Sequence, residues 1–232
     1  MNKFAAMIRL IRPHQWVKNG FVAAPLLFTP SAMQAGIVIS VALGLACFCA
    51  VSSAVYCLND IVDAERDRHH PKKMHRPLAA AAIGTGEAAG LGALLGFAGL
   101  AGAYLLSPSF FAVVGTYAAL NVAYSLWLKH VSIVDVLTIA AGFVLRIYAG
   151  SEMIGQAPSI WIIESSALLA LFLALAKRRD DLVNNLGGEH RQSIAGYNLT
   201  FVDHAITIVL AAMLFCYVVY TTDQTVIAKL GT

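Results

Sequence analysis

An all-α, polytopic transmembrane helical bundle is the fold this sequence predicts, and three observations predict it. Hydrophobic residues fill 59% of the 232 positions and charged ones only 12%, with a mean hydropathy of +0.71. A soluble domain carries about 25% charged residues. Apolar runs of bilayer-crossing length, about 17–25 residues, recur along the whole chain. The cations, finally, gather between alternate runs instead of spreading over a surface. A net charge of +3 with no basic soluble face argues against a nucleic-acid binder.

Residues 1–20 do not read as a secretory signal, because Arg9 and Arg12 interrupt any apolar core and no cleavage site follows. Pro13, Trp16 and Lys18 suggest a short interfacial helix, with aromatic and basic groups at headgroup level. Seven helices are then predicted near 20–36, 37–58, 84–105, 109–128, 133–152, 158–177 and 202–221, the first interrupted by Pro25 and Pro30. Gly84-Thr85-Gly86, Ser107-Pro108-Ser109 and Gly155-Gln156-Ala157-Pro158 supply turns between them. No soluble domain fits in the gaps, so residues 1–232 read as one transmembrane domain.

Alternation puts the N-terminus and residues 59–83, 129–132 and 178–201 on one side, with nearly every Lys and Arg. The opposite loops carry none before Lys229. By the positive-inside rule the basic side is cytoplasmic, in a bacterial-type inner membrane. Gly90, Gly92, Gly96, Gly99 and Gly102 read as close helix packing. Cys47, Cys49, Cys57 and Cys216 lie in or beside apolar runs and read as small buried hydrophobes.

Against this apolar background the stretch from Asn59 to Arg76 stands out. Asp60, Asp63 and Asp67 are spaced i, i+3 and i+7, so a helix turns them to one face. Three carboxylates on one face repel unless a cation lies between them, and Mg²⁺ prefers oxygen ligands that it shares with substrate phosphates. Arg66, Arg68, Lys72, Lys73 and Arg76 follow, suited to phosphate oxygens. An acidic face beside a basic loop reads as a metal–diphosphate site; a solvated helix-loop with i, i+4 pairs is the plain alternative.

Charges inside the membrane are expensive and need partners. Arg146, mid-helix, is expected to meet a carboxylate or a phosphate, while Asp135 lies three turns away and need not be its partner. Glu164 can snorkel, pair with Arg146 or carry a proton. In the second polar loop Lys177 and Asp181 are i, i+4 and share a face, with Arg178, Arg179 and Asp180 beside them. Tyr124 and Lys129 offer a hydroxyl and an ammonium to a phosphate, or serve as interface anchors. His69 and His70 read as loop residues, not metal ligands.

The run from Asn59 to Asp67 resembles the N-D-x-x-D-x-x-x-D signature of the UbiA superfamily of intramembrane prenyltransferases. Arg12-Pro13-His14-Gln15-Trp16-Val17-Lys18-Asn19 resembles the opening of its decaprenyl-phosphate phosphoribosyltransferase branch. So do Ser53-Ala54-Val55-Tyr56, His70-Pro71-Lys72-Lys73, Arg76-Pro77 and Leu145-Arg146-Ile147-Tyr148-Ala149-Gly150. The run Ala176-Lys177-Arg178-Arg179-Asp180-Asp181-Leu182, with Arg191 and Tyr197, completes the set, which covers essentially the whole chain. The aromatic prenyltransferases of the superfamily carry a later D-x-x-x-D motif; here Asn184 and Asn185 stand four beyond Asp180 and Asp181. That favours the phosphoribosyl branch. Superfamily members usually have nine helices, and with about seven here the last two are expected to be lacking.

The resemblance implies an enzyme that transfers 5-phosphoribose from phosphoribosyl diphosphate to a polyprenyl phosphate and releases diphosphate, in a cell-wall context. It implies Mg²⁺ on Asp60, Asp63 and Asp67, with Asn59, Lys72, Lys73 and Arg76 on the substrate. Asp181, with Lys177 and Arg178, is implied at the ribose or second phosphate, joined by Tyr124 and Lys129. Arg146, Arg12 or Lys18 is implied as a guide for the lipid phosphate. Membrane lipids and a second copy of the chain are the further partners in view; nucleic acid is not. The same parts would serve a prenyl diphosphate donor with an aromatic or lipid acceptor. A non-catalytic lipid-binding protein or transporter is the remaining class.

Overall fold

Proline placement decides how the chain enters the apolar layer. A proline has no N–H to give a helix ladder and clashes with the preceding turn, so it belongs in a first turn. Pro13, Pro25 and Pro30 each open a separate short piece. The computed structural model of the chain describes residues 2–69, 71, 73–184, 196–224 and 226–227. In it, helix α1 (Lys3–Ile11) leads to a 3-10 stretch (Pro13–Val22), a one-turn helix α2 (Ala24–Leu27) and a 3-10 turn (Pro30–Ala32). The single helix expected near 20–36 is thus broken up.

Six helices among the described residues are long and apolar enough to cross a membrane. They are α3 (Ala35–Arg68), α4 (Thr85–Leu106), α5 (Pro108–Leu126), α6 (Val134–Ile154), α7 (Ile160–Val183) and α8 (Leu199–Thr222). The broken stretch still follows the length of a span. Arg12 meets Asp60, Trp16 meets Ser53, Asn19 meets Ser52, and Ala32 packs with Val41. Those partners cover a stretch of α3 about 28 Å long at the helical rise, close to the hydrocarbon thickness of about 30 Å. Where a seventh self-sufficient helix was expected, the chain instead lies as short pieces along α3.

Side chains and turns set the helix starts. Asn2, Ser107 and Asn198 accept from Phe4 N, Phe110 N and Phe201 N, and Glu87 accepts from Gly84 N at 3.0 Å. Helix α3 runs ten residues past the expected boundary at 58, so the acidic motif rides on the same rigid rod as the transmembrane segment.

The chain groups into two compact units. The first comprises residues up to Leu128 with Leu145–Ala157, and the second Lys129–Val144 with Pro158 onward. In the first, Phe48, Val51, Phe110, Val114 and Tyr117 pack α3 against α5, and Ala6, Leu10 and Cys57 seat α1 on α3. In the second, Val136, Ala174, Leu175, Tyr197 and Val202 form the core.

Glycines let α3 and α4 approach. A Cβ on Gly99 would lie 2.8 Å from Cys47 O and 2.7 Å from Val51 Cγ2, whereas one on Gly90 would meet nothing within 4 Å. Gly99→Leu is therefore expected to cost about 1–3 kcal/mol by overpacking, and Gly90→Ala to cost nothing measurable. Thermal unfolding of both variants in detergent checks the contrast.

Candidate functional site

The first unit carries the acidic face. Asp60 and Asp67 are almost fully buried at the end of α3, and Asp63 is half-buried between them. Arg76, from the turn-rich stretch after α3, bridges the two buried carboxylates. Its Nη1 donates to Asp67 Oδ2 at 2.6 Å and to Asp60 Oδ1 at 3.2 Å. Arg12 also donates to Asp60 Oδ1. Lys73 Nζ stands 3.9 Å from Asp67 Oδ1. Asn59 is half-buried on the same helix. Lys72, expected at the phosphates, lies outside the described residues, as do His70, Asn185, Arg191 and Lys229.

The chain folds this way because the residues before Pro13 are pinned to α3. Ser53 Oγ donates to Ile11 O at 3.0 Å and accepts from Trp16 Nε1 at 3.0 Å. Arg12 itself takes the left-handed conformation, φ 53°, which is uncommon for a side chain with a Cβ. That turn aims its guanidinium past the Tyr56 ring, 5.2 Å from the centroid, and onto Asp60.

Deeper along α3 lies a second polar layer. Asn19, buried, donates to Ser52 Oγ at 3.0 Å and accepts from Arg146 Nε at 3.0 Å. Arg146 donates to Tyr117 OH at 2.9 Å and lies over the Phe48 and Tyr117 rings, 5.4 and 4.8 Å from their centroids. A buried guanidinium is thus dispersed over an amide, a phenol and two π faces. Gly150, one turn on, seats against Val22 O, where a Cβ would overlap the carbonyl. Tyr124 is half-buried and Lys18 exposed.

The second unit holds its own charged cluster. Asp135, fully buried, accepts from Arg178 Nε at 2.7 Å, Tyr197 OH at 2.7 Å and Val136 N at 2.9 Å. Tyr197 OH in turn accepts from Ile133 N at 2.6 Å, bracing Ile133 at φ 69°. Burial, then the Asp135 carboxylate that its proton serves, raises the Tyr197 phenol above its ordinary value. Both Lys177 and Arg178, expected in a polar loop, lie on α7, where Arg178 is buried and Lys177 exposed. Asp181 Oδ2 is 3.7 Å from Arg178 Nη1, and Lys129 is buried. Neither terminal nitrogen of Arg178 has a hydrogen-bond partner among the described residues.

No group of three His, Cys, Asp or Glu among the described residues is arranged to hold a metal ion. Asp60 and Asp67 instead pair with arginines. The donor set nevertheless suits a hard divalent cation, because two buried carboxylates already share one positive charge. Arg12, Asn19, Tyr117 and Asp135 are the site residues whose partners the sequence left unassigned. One signal was available: Asp135 opens α6 and Arg178 lies near the end of α7, and each charge in an apolar helix needs a counterpart.

Comparison with known proteins adds the following. The model of the UbiA prenyltransferase family matches residues 21–220. Decaprenyl-phosphate phosphoribosyltransferase of Mycolicibacterium smegmatis is 32% identical over 222 residues, which cover 93% of this chain and 70% of that protein. Its namesake from Corynebacterium glutamicum is 33% identical over 223 residues, 94% of this chain and 67% of that protein. Among solved structures, a UbiA homologue from Archaeoglobus fulgidus bound to GPP and Mg²⁺ aligns with a TM-score of 0.80 at 22% identity. The alignment covers 97% of this chain and 82% of that one; at that identity it speaks for the fold.

Proposed function

The chain belongs to the UbiA prenyltransferase family of membrane transferases, and from that premise we propose that it moves 5-phosphoribose from phosphoribosyl diphosphate to a polyprenyl phosphate. The observation that carries the site assignment is the pair of buried carboxylates, Asp60 and Asp67, sharing Arg76 at the end of an apolar span. The reaction itself is carried over from the phosphoribosyltransferase relatives. In the step, a lipid phosphate oxygen bonds to the anomeric carbon, the bond from that carbon to diphosphate breaks, and diphosphate leaves with the electron pair.

Mg²⁺ held by Asp60, Asp67 and Asp63 would neutralise charge on the departing diphosphate. Arg76 and Lys73 hold phosphate oxygens, and Arg12 orients Asp60. The lipid phosphate is already anionic, so the protein needs no strong general base. Catalysis is then positioning and electrostatics. The proposal puts the acidic face on the cytoplasmic side, supported by the cations of the N-terminal stretch and residues 59–83. For the second unit it assigns anion recognition to Arg178, whose terminal nitrogens make no hydrogen bond among the described residues, with Asp181 Oδ2 3.7 Å from Nη1.

Product analysis tests the reading. Purified protein in detergent with Mg²⁺, polyprenyl phosphate and radiolabelled phosphoribosyl diphosphate is expected to yield a labelled lipid, lost on adding EDTA. Product formed only from a prenyl diphosphate and an aromatic acceptor would overturn the phosphoribosyl assignment.

A further inference from the structure

Arg76 occupies the place that a metal shared by Asp60 and Asp67 would need. One nitrogen, Nη1, reaches both carboxylates, at 3.2 and 2.6 Å. The two aspartates are 2% exposed, so little water competes for them, while the Arg76 side chain is 26% exposed, more than the 18% of Arg12. A cation entering between the carboxylates must displace that guanidinium. A free divalent ion offers the displaced arginine no partner, and leaves it beside two further cations, Arg12 and Lys73. An ion that arrives on a diphosphate brings acceptor oxygens for it.

Arg12 is built differently. It is fixed by the Ser53–Ile11 bond immediately before it, by its left-handed backbone and by the Tyr56 ring. Arg76 hangs from a stretch of turns. We propose that Arg76 is an exchangeable counter-cation, which makes the acidic face accept a divalent metal–diphosphate complex and reject the free ion. Arg12 is the permanent counter-charge. The exchange couples metal and diphosphate binding, and such coupling is reciprocal. A ligand shifts an equilibrium only by its differential affinity for the two states, and here the phosphate oxygens supply the difference by receiving Arg76. This rests on the metal–diphosphate reading of the site above.

Equilibrium dialysis of the full chain in detergent tests it without turnover, using radiolabelled Mn²⁺ and inorganic pyrophosphate as probes. Wild type is expected to retain Mn²⁺ weakly alone and on the order of tenfold more tightly with pyrophosphate, within the usual range of coupling between sites. Arg76→Gln is expected to bind Mn²⁺ alone about tenfold more tightly than wild type and to lose the pyrophosphate enhancement. Wild type binding Mn²⁺ equally well with and without pyrophosphate would overturn the exchange, and needs no variant to be folded. So would an Arg76→Gln protein that keeps the enhancement. If wild type retains neither probe, the metal–diphosphate reading itself falls, a result distinct from either of these.

Discussion

Asp60→Asn is expected to lower phosphoribosyl transfer on the order of 10³-fold, the loss corresponding to several kcal/mol of metal-borne charge stabilisation. Asparagine keeps the shape and the acceptor oxygen that Arg12 and Arg76 use, but removes the negative charge a divalent ion requires. Folding should survive. Hydrogen bonds to charged groups are worth about 1.5–3 kcal/mol, and the exchange keeps an amide acceptor in place of the carboxylate. Asp63→Ala, at a half-buried position, should bring a parallel loss with a smaller effect on stability. Steady-state turnover beside thermal unfolding separates the two consequences. Turnover that survives both substitutions would remove the metal site from Asp60 and Asp63.

The second large effect lies in the other unit and concerns stability. Asp135→Ala is expected to cost about 3–5 kcal/mol, the usual consequence of leaving a buried charge unpaired. Arg178 is 1% exposed and its Nε donates to Asp135. Tyr197 would lose the acceptor for its proton in the same stroke. Replacing both partners, Asp135→Leu with Arg178→Met, should recover much of the loss, since two apolar groups of similar volume leave no stranded charge. Unfolding of the single and double variants in detergent makes the comparison. If Asp135→Ala unfolds like wild type, the cluster is not what holds this unit together.

The apolar pattern made most of the fold readable. Runs ending near 105, 128, 152 and 221 became α4, α5, α6 and α8 within a few residues, because a bilayer leaves no way to satisfy backbone groups other than a helix. The run near 20–36 misled. Its hydropathy resembles a span, but Pro25 and Pro30 deny it a continuous ladder, and the segment leading into it is held by partners on α3 and α6. The boundary at 58 was set by loss of hydrophobicity, whereas α3 continues because nothing in Asn59–Arg68 breaks a helix.

The site was legible in kind and not in pairing. Spacing alone brought Asp60 and Asp67 to one face, since helical periodicity is local. That Arg12 and Arg76 would both reach Asp60 depends on how distant segments fold back, which no spacing records. Arg146 illustrates the limit: a carboxylate or a phosphate was expected, and it meets an amide and a phenol. Of the glycines expected at helix contacts, Gly99 is in close contact, whereas Gly90 faces open space and does not serve packing.

The broken entry segment also has a timetable. Its bonds to Ser53 and Ser52 link residues 37 and 33 apart, so they become available soon after α3 emerges from the ribosome. The Asn19–Arg146 bond links residues 127 apart. At 5–20 residues per second, Asn19 waits about 6–25 s for that partner to be made. Gly150, which receives Val22 O, comes later still. The nascent chain therefore fastens to α3 first and waits for α6, an interval in which the insertion machinery, and not the finished protein, must shelter a segment with too many prolines to shelter itself.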